Sequence, residues 1–249
     1  MKIAVLGGGP AGLYFAISMK LRDPEHQITV YERNRADDTF GWGVVLSDET
    51  MSNFEGNDPV TNRMIRENFA YWDDLKVIRG EESMTSSGHG FCGIGRKKML
   101  LLLQERASEL GVETVFETEI TNERIEELKN SNDLLVAADG LNSRTRSLYE
   151  DQFKPEIDMR LNHFVWLGTH QKFDDAFTFI FEKTEHGWIW AHAYQFDDDT
   201  ATFIVECGPE TFEAFGFADL NQQESIALCE KIFEKHLGGH SLMTNANHI

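Results

Sequence analysis

The feature that most restricts what this chain can fold into lies in its first 32 residues. Lys2–Leu6 (KIAVL) is a short, bounded apolar run, as expected of a strand buried on both faces. Gly7-x-Gly9-x-x-Gly12 follows at once. Leu13–Leu21 then reads as a helix with an apolar stripe, and Gln27–Tyr31 (QITVY) as a second, β-branched strand ending at Glu32. Together they make one βαβ unit of about 30 residues. Gly7 permits the tight turn, Gly9 lets backbone approach a pyrophosphate, and Gly12 allows close helix–strand packing. The helix start presents free N–H groups and a partial positive charge to phosphates, and Glu32 can accept hydrogen bonds from an adenosine ribose. Pro10 and Ala11, between the glycines, and Arg33, after the acid, complete this candidate dinucleotide site. FAD, NAD and NADP share the fingerprint.

Two further motifs bear on the choice among them. Asp133–Ala138 (DLLVAA) reads as a buried strand ending in Asp139-Gly140, followed by Ser143 and Arg144. A strand with an ordinary Asp-Gly turn is the competing reading. Arg96 opens a strong helix, Arg96–Leu110, with Leu100, Leu103, Ala107 and Leu110 on one face and Gly111 as its stop. A cation at a helix start is slightly unfavourable, which makes a functional Arg96 more plausible than a solvated one.

Elsewhere, Arg33–Ser52 reads as a glycine-punctuated loop around Gly41-Trp42-Gly43, Pro59–Asp73 as a polar helix, and Lys76–Gly93 as short strands. Val112–Phe116 is a further strand of the first sheet. From about Asn162 the pattern becomes four alternating strands, HFVWLGTH, AFTFIFEK, GWIWAHAYQF and TATFIVEC, expected to form an antiparallel sheet with one solvated face. A last helix covers Gln222–His236. The fold class is therefore α/β: a Rossmann-like dinucleotide-binding domain (residues 1–75 and 93–158) with a mixed or antiparallel-sheet domain (76–92 and 159–249), which the resemblance given below makes the FAD-binding and substrate domains.

Charge and cysteine content exclude several functions. The net charge of −19, from 42 acidic and 23 basic residues, repels a phosphate backbone, so no nucleic-acid partner is expected. The absence of an apolar run near the roughly 20 residues of a membrane span argues against a membrane partner. With no signal-peptide pattern, a cytoplasmic location is expected. Cys92, Cys207 and Cys229 are scattered, which favours buried free thiols over a disulfide framework or a zinc site. No metal site is expected.

The Asp139-Gly140 segment resembles the DG motif of the flavoprotein aromatic hydroxylases, the 4-hydroxybenzoate hydroxylase group. Longer strings extend the resemblance over essentially the whole chain: MKLRDPEH, ERNRADDTFGWGVVLSDET, SSGHGFCGIGRKK, NHFVWLGTHQKFDDAFTFIFEKTEHGW and AHAYQFDDDTATFIVEC. Within the group these are most similar to the hydroxylases of salicylyl- and 2-aminobenzoyl-CoA thioesters, with a more distant likeness to a hydroxylase of tryptophan derivatives.

The resemblance implies FAD as cofactor, NAD(P)H as electron donor, O₂ as co-substrate, and an aromatic small molecule, aryl-CoA or a free ring, as substrate. It assigns Asp139, Gly140 and Ser143 to the FAD pyrophosphate region, Arg96 to the flavin or its phosphates, and Trp42 and Gly43 to the isoalloxazine. A core role competes for Trp42. Trp166, His170, His192 and Tyr194 lie on strands that would face substrate, with sheet packing as the competing role. No side-chain nucleophile is required, and no catalytic residue is assigned. The acidic later segment gives CoA phosphates little to hold unless Arg144, Arg146 or Arg160 gather locally. Members of the group continue to a Gly-Asp motif that contacts the flavin. This sequence stops at Asn247-His248-Ile249, so the expectation is an N-terminal portion of such an enzyme.

Overall fold

The computed structural model describes residues 1–39 and 41–244; the Asn247-His248-Ile249 end lies outside the described residues. The strands are β1 (Lys2–Leu6), β2 (Gln27–Tyr31), β3 (Gly43–Ser47), β4 (Ala70–Trp72), β5 (Leu75–Arg79), β6 (Glu82–Ser86), β7 (Phe91–Gly95), β8 (Glu113–Val115), β9 (Leu134–Ala137), β10 (His163–Thr169), β11 (Phe177–Thr184), β12 (Gly187–Gln195), β13 (Ala201–Cys207) and β14 (Leu242–Met243). The helices are α1 (Pro10–Arg22), α2 (Asp48–Asn57), α3 (Pro59–Arg66), α4 (Arg96–Glu109), α5 (Asn122–Ser131), α6 (Arg144–Leu148), α7 (Glu150–Phe153), α8 (Pro209–Ala214) and α9 (Gln222–Phe233). No described helix is long and apolar enough to cross a membrane.

The chain divides into two compact units that alternate along the sequence: residues 1–39, 53–65 and 97–158, and residues 40–52, 66–96 and 159–249. Segments 40–52, 66–75 and 93–96, which the sequence reading puts with the nucleotide-binding fold, cluster with the second unit.

The first unit is built on a parallel sheet in the order β8-β2-β1-β9. Ile3, Ala4, Val5 and Leu6 of its central strand β1 are all buried, which is why that run carries no alternation. Gly12, Leu13, Ala16 and Ile17 form the buried stripe of α1. The α5 helix was not apparent in the sequence because its window is half charged and mostly polar. Ile125 and Leu128 alone are buried on it, packed with Ala4 and Leu6, and Thr121 caps it by accepting from the Arg124 amide.

The second unit carries a seven-stranded sheet, order β14-β10-β13-β12-β11-β5-β6, antiparallel except for the β11–β5 pair. The predicted alternation holds. Leu167, Ile180, Ile189, Ala191, Phe203 and Val205 pack with Cys229 and Phe233 of α9. Asn221 and Glu224 close the start of α9 with a reciprocal capping box.

Two expectations fail here. The presumed loop before Ser52 contains β3, and the presumed helix to Asp73 ends at Arg66 and gives way to β4. Both strands pair with β7, forming a separate three-stranded sheet that local sequence cannot announce. All three cysteines are free and buried.

Candidate functional site

In the first unit the glycine-rich turn is held by the strands around it. The Gly7 amide donates to the Tyr31 carbonyl at 2.8 Å. Gly7 sits at φ +107°, and a side chain there would strike the Ala138 carbonyl. A side chain on Gly12 would strike the Gly7 carbonyl. Gly9 differs: a Cβ there would meet nothing within 4 Å. Gly9 is also the N-cap of α1, with no side-chain cap, and the first helical bond runs from the Leu13 amide to its carbonyl at 3.0 Å. The Ala11 and Gly12 amides thus precede the intrahelical ladder and lie beside open space, while Pro10 at the first helical position has no N–H to orphan.

Glu32 stands over the same turn. Its Oε2 accepts from the Gly8 amide at 2.8 Å and its Oε1 from the Asn34 amide at 2.8 Å. Each oxygen retains acceptor capacity for a further donor. Arg33 beside it is exposed. This set fits the ADP part of a dinucleotide: an open approach at Gly9, uncapped amides at a helix start, and an anchored carboxylate near them.

The Asp-Gly segment adjoins this turn. The Ala138 amide donates to the Leu6 carbonyl at 2.8 Å, extending the β1–β9 pairing. Asp139 accepts from the Ser143 hydroxyl at 2.6 Å through one oxygen, and from the Thr145 amide and hydroxyl, both at 3.1 Å, through the other. Burial raises its pKa, but these hydrogen bonds outweigh it and the net shift is downward. Ser143 in turn caps α6 by accepting from the Arg146 amide at 2.9 Å. Gly140 takes φ +82° beside open space. Asp139 and Ser143 therefore build the turn and helix start that follow β9. Of the arginines considered for phosphate, Arg144 pairs with Glu119 at 2.7 Å and Arg146 donates to the Leu141 carbonyl at 2.6 Å.

Trp42, Gly43 and Arg96 belong to the second unit, where they are brought together. The Arg96 amide donates to the Trp42 carbonyl at 2.8 Å, and Gly43 pairs with Gly95 across β3 and β7. Burial lowers the Arg96 pKa. The 41–43 segment lies on the face of the large sheet opposite α9. Gly43 donates to the Thr202 hydroxyl at 3.0 Å and accepts from the Tyr194 hydroxyl at 2.8 Å, and the Trp42 indole occupies the space a side chain on Gly168 would need. Burial pushes the Tyr194 hydroxyl up to about 12, so it remains a donor. Tyr194 and Trp42 are therefore both packed against this face of the sheet. The indole N–H groups of Trp42 and Trp166 are buried without an acceptor among the described residues.

Beyond the row covered by that segment, the same face stays aromatic and, Phe164 apart, half-buried. Trp166, Ile204, His192 and Phe179 form one cross-strand row, and Phe164, Glu206, Trp190 and Phe181 the next. Glu206 was not singled out from sequence. Its oxygens accept from Asn162 Nδ2 at 2.8 Å and Trp190 Nε1 at 3.1 Å, and it stands 3.9 Å from His192 Nε2. His170 is not on this face: it lies past the end of β10, with Nδ1 2.9 Å from the Asp199 carbonyl oxygen.

No family model matches the chain. Two curated relatives each align with 98% of it. Salicyloyl-CoA 5-hydroxylase of a Streptomyces species is 37% identical over 254 residues, and protodeoxyviolaceinate monooxygenase of Chromobacterium violaceum 32% over 245. The chain spans 48% and 65% of their respective lengths.

Among solved structures, 2-methyl-3-hydroxypyridine-5-carboxylic acid oxygenase superposes with a TM-score of 0.73 at 16% identity, over 97% of this chain and 69% of that one. The flavin-dependent halogenase CmlS gives 0.68 at 19% identity, over 98% and 48%. Those two establish the fold, and the sequence relatives extend the likeness through both units. In sequence and in fold the chain is similar to flavoprotein aromatic-ring hydroxylases.

Proposed function

We infer that the chain is the FAD- and substrate-binding portion of a monooxygenase that hydroxylates an aromatic ring with NAD(P)H and O₂. In this reading the first unit is a Rossmann-like FAD-binding domain and the second a substrate-binding sheet domain. The observation that carries it is the open, uncapped helix start at Gly9 with Glu32 anchored beside it.

The Ala11 and Gly12 amides would hold the FAD pyrophosphate, Glu32 the adenosine ribose, and the Asp139–Ser143 turn would shape the phosphate side of the same site. Through resemblance alone, Trp42, Gly43 and Arg96 are assigned to the isoalloxazine. The flavin, when bound, supplies oxygen activation and accepts electrons from NAD(P)H. The protein's own work is to bind it, orient the ring to be hydroxylated and exclude water. The aromatic rows of the second unit suit a flat ring, by offset or edge-on contact.

An aryl-CoA thioester of the salicylyl-CoA kind is the preferred substrate, supported by the likeness to salicyloyl-CoA 5-hydroxylase. A free aromatic or indole substrate is the second reading, supported by the likeness to protodeoxyviolaceinate monooxygenase. The test is to reconstitute the protein with FAD and follow NADH and NADPH oxidation with and without salicyloyl-CoA. Stimulated oxidation with formation of a hydroxylated thioester is expected. Flavin uptake without any stimulation would reduce the chain to a non-catalytic FAD-binding portion, and failure to take up flavin would overturn the reading.

A further inference from the structure

On the side of the large sheet away from its aromatic rows, a cavity of about 260 Å³ lies between the strands and the helices that follow them. Alternation decides which side chains form its sheet wall. Leu167 of β10, Ile189 of β12 and Val205 and Cys207 of β13 point to the α9 side, whereas Trp166, Trp190 and Glu206 point to the other. A second wall comes from α8 and the short turn after it. Gly216, at φ +69°, takes the left-handed conformation that ends α8, and Phe212 and Phe217 on either side of it stack with centroids 5.5 Å apart. His163, at the start of β10, stacks in turn on Phe212 at 3.8 Å and 14°. Ile226 and the buried Cys229 of α9 complete the lining.

The chemistry of this lining is neutral. No lysine, arginine or aspartate is among the described residues around the cavity. The Glu206 carboxylate is turned to the other face, where Asn162 and Trp190 hold it. Burial pushes the Cys229 thiol up to about 12 and raises that of Cys207, so both keep their protons at neutral pH. Polar side chains come instead from the exposed His163 and Gln222 and the half-buried Ser225. Gln222 already donates to the Thr244 hydroxyl at 3.2 Å, which leaves Ser225 as the hydroxyl facing the cavity from α9. An apolar cavity of roughly 150 Å³ admits benzene, so the space here suits one ring or two fused rings. With a net charge of −19 and no cation in the lining, the protein disfavours an anion there.

We propose that this cavity is a second ligand site, which takes a neutral aromatic molecule of one or two rings carrying a single hydrogen-bonding group. The ring lies between the Phe212–Phe217 wall and the aliphatic side chains of the sheet, and its polar group meets Ser225. A ligand held there ties α8 and α9 to the strands, so its binding stabilises the second unit. The site uses neither the glycine turn of the first unit nor the Trp166 and His192 row of the second. It therefore stands or falls apart from the reading of the chain as a hydroxylase.

The probe is indole, titrated into the full chain, with and without FAD, and followed by isoleucine methyl NMR. Ile189 and Ile226 line the cavity, while Ile204 sits on the aromatic face and reports binding there. Indole is expected to shift the Ile189 and Ile226 methyls with a Kd on the order of 0.1 mM. At about ten times that concentration it should raise Tm by about 3–6 °C. Indole-3-acetate, the same ring with a carboxylate, should bind at least about tenfold more weakly, since it brings a charge to a site without a cation. Ser225→Trp, which fills the cavity from α9, should abolish both methyl shifts in a protein that still unfolds cooperatively. Shifts at Ile204 alone would place indole on the aromatic face and overturn the proposal. So would the absence of any shift, equal binding of the two probes, or shifts that persist in Ser225→Trp. The wild-type methyl shifts decide the matter even where that variant does not fold. FAD uptake and thioester-stimulated oxidation, which test the hydroxylase reading, are separate measurements that none of these outcomes prejudges.

Discussion

At the scale of single residues, Glu32 does two jobs. Its carboxylate ties the Gly8 and Asn34 amides together at 2.8 Å each, fixing the loop after β2 against the glycine turn. The acceptor capacity left over is what an adenosine ribose would use. Glu32→Gln removes the charge and exchanges one acceptor for a donor facing an amide or a hydroxyl. Loss of a charge-assisted hydrogen bond amounts to about 1.5–3 kcal/mol, so FAD affinity should fall roughly 10- to 100-fold. Fluorescence titration of FAD would show this, and unchanged affinity would remove Glu32 from the site.

The sequence already set this acid at the end of β2, 20 positions beyond Gly12, where the structure has it beside the glycine turn, since that spacing needs only local geometry. It could not show that Asp139 would be taken up by Ser143 and Thr145, because that depends on how the chain turns after β9. Nor could it pair Glu206 with His192. Alternation assigns each residue to a face, but the register of β12 against β13, which sets Trp190 opposite Glu206 and His192 opposite Ile204, is a tertiary property.

At the scale of elements, the first unit depends on one buried ion pair to fasten α3 to α4. Arg106 reaches Asp58, at the start of α3, through Nε at 2.8 Å and a second nitrogen at 3.1 Å, and the Thr61 hydroxyl adds a third donor at 2.7 Å. Asp58 is 2% exposed. Arg106→Met would leave that carboxylate buried with its main partner gone, at a cost of about 3–5 kcal/mol in urea unfolding at neutral pH. Burial raises the Asp58 pKa, but the Arg106 and Thr61 hydrogen bonds lower it more, and the net shift is downward. Its contribution is therefore present above the unfolded value of about 3.9 and is lost as pH falls through the lower native value. In Arg106→Met the carboxylate should instead take up its proton at higher pH, and the stability difference between the two proteins should narrow in acid. A difference that did not change with pH would contradict the assignment.

Elements that define themselves locally, such as β1, α1, β2 and α4, were legible from pattern and stop signals. β3 and β4 were not, since each becomes a strand only because β7 pairs with it. α5 was hidden by its charge, with two apolar residues in ten.

For the whole molecule, the two units alternate along the chain, and the likeness to known hydroxylases runs through both. That makes the account testable as a sum of separate parts. The first unit carries the case for the cofactor and the second the case for the substrate. The net charge of −19 opposes a ligand as anionic as FAD at long range, so binding must come from the directed amides at the start of α1 and should tighten modestly as added salt screens the repulsion. The most direct measurement is competition: FAD is titrated into the purified protein, and ADP or riboflavin is then added in excess. If the glycine turn and Glu32 grip the ADP half, FAD binds, ADP displaces it, and riboflavin does not. Displacement by riboflavin alone, or no FAD binding at all, would contradict the central claim.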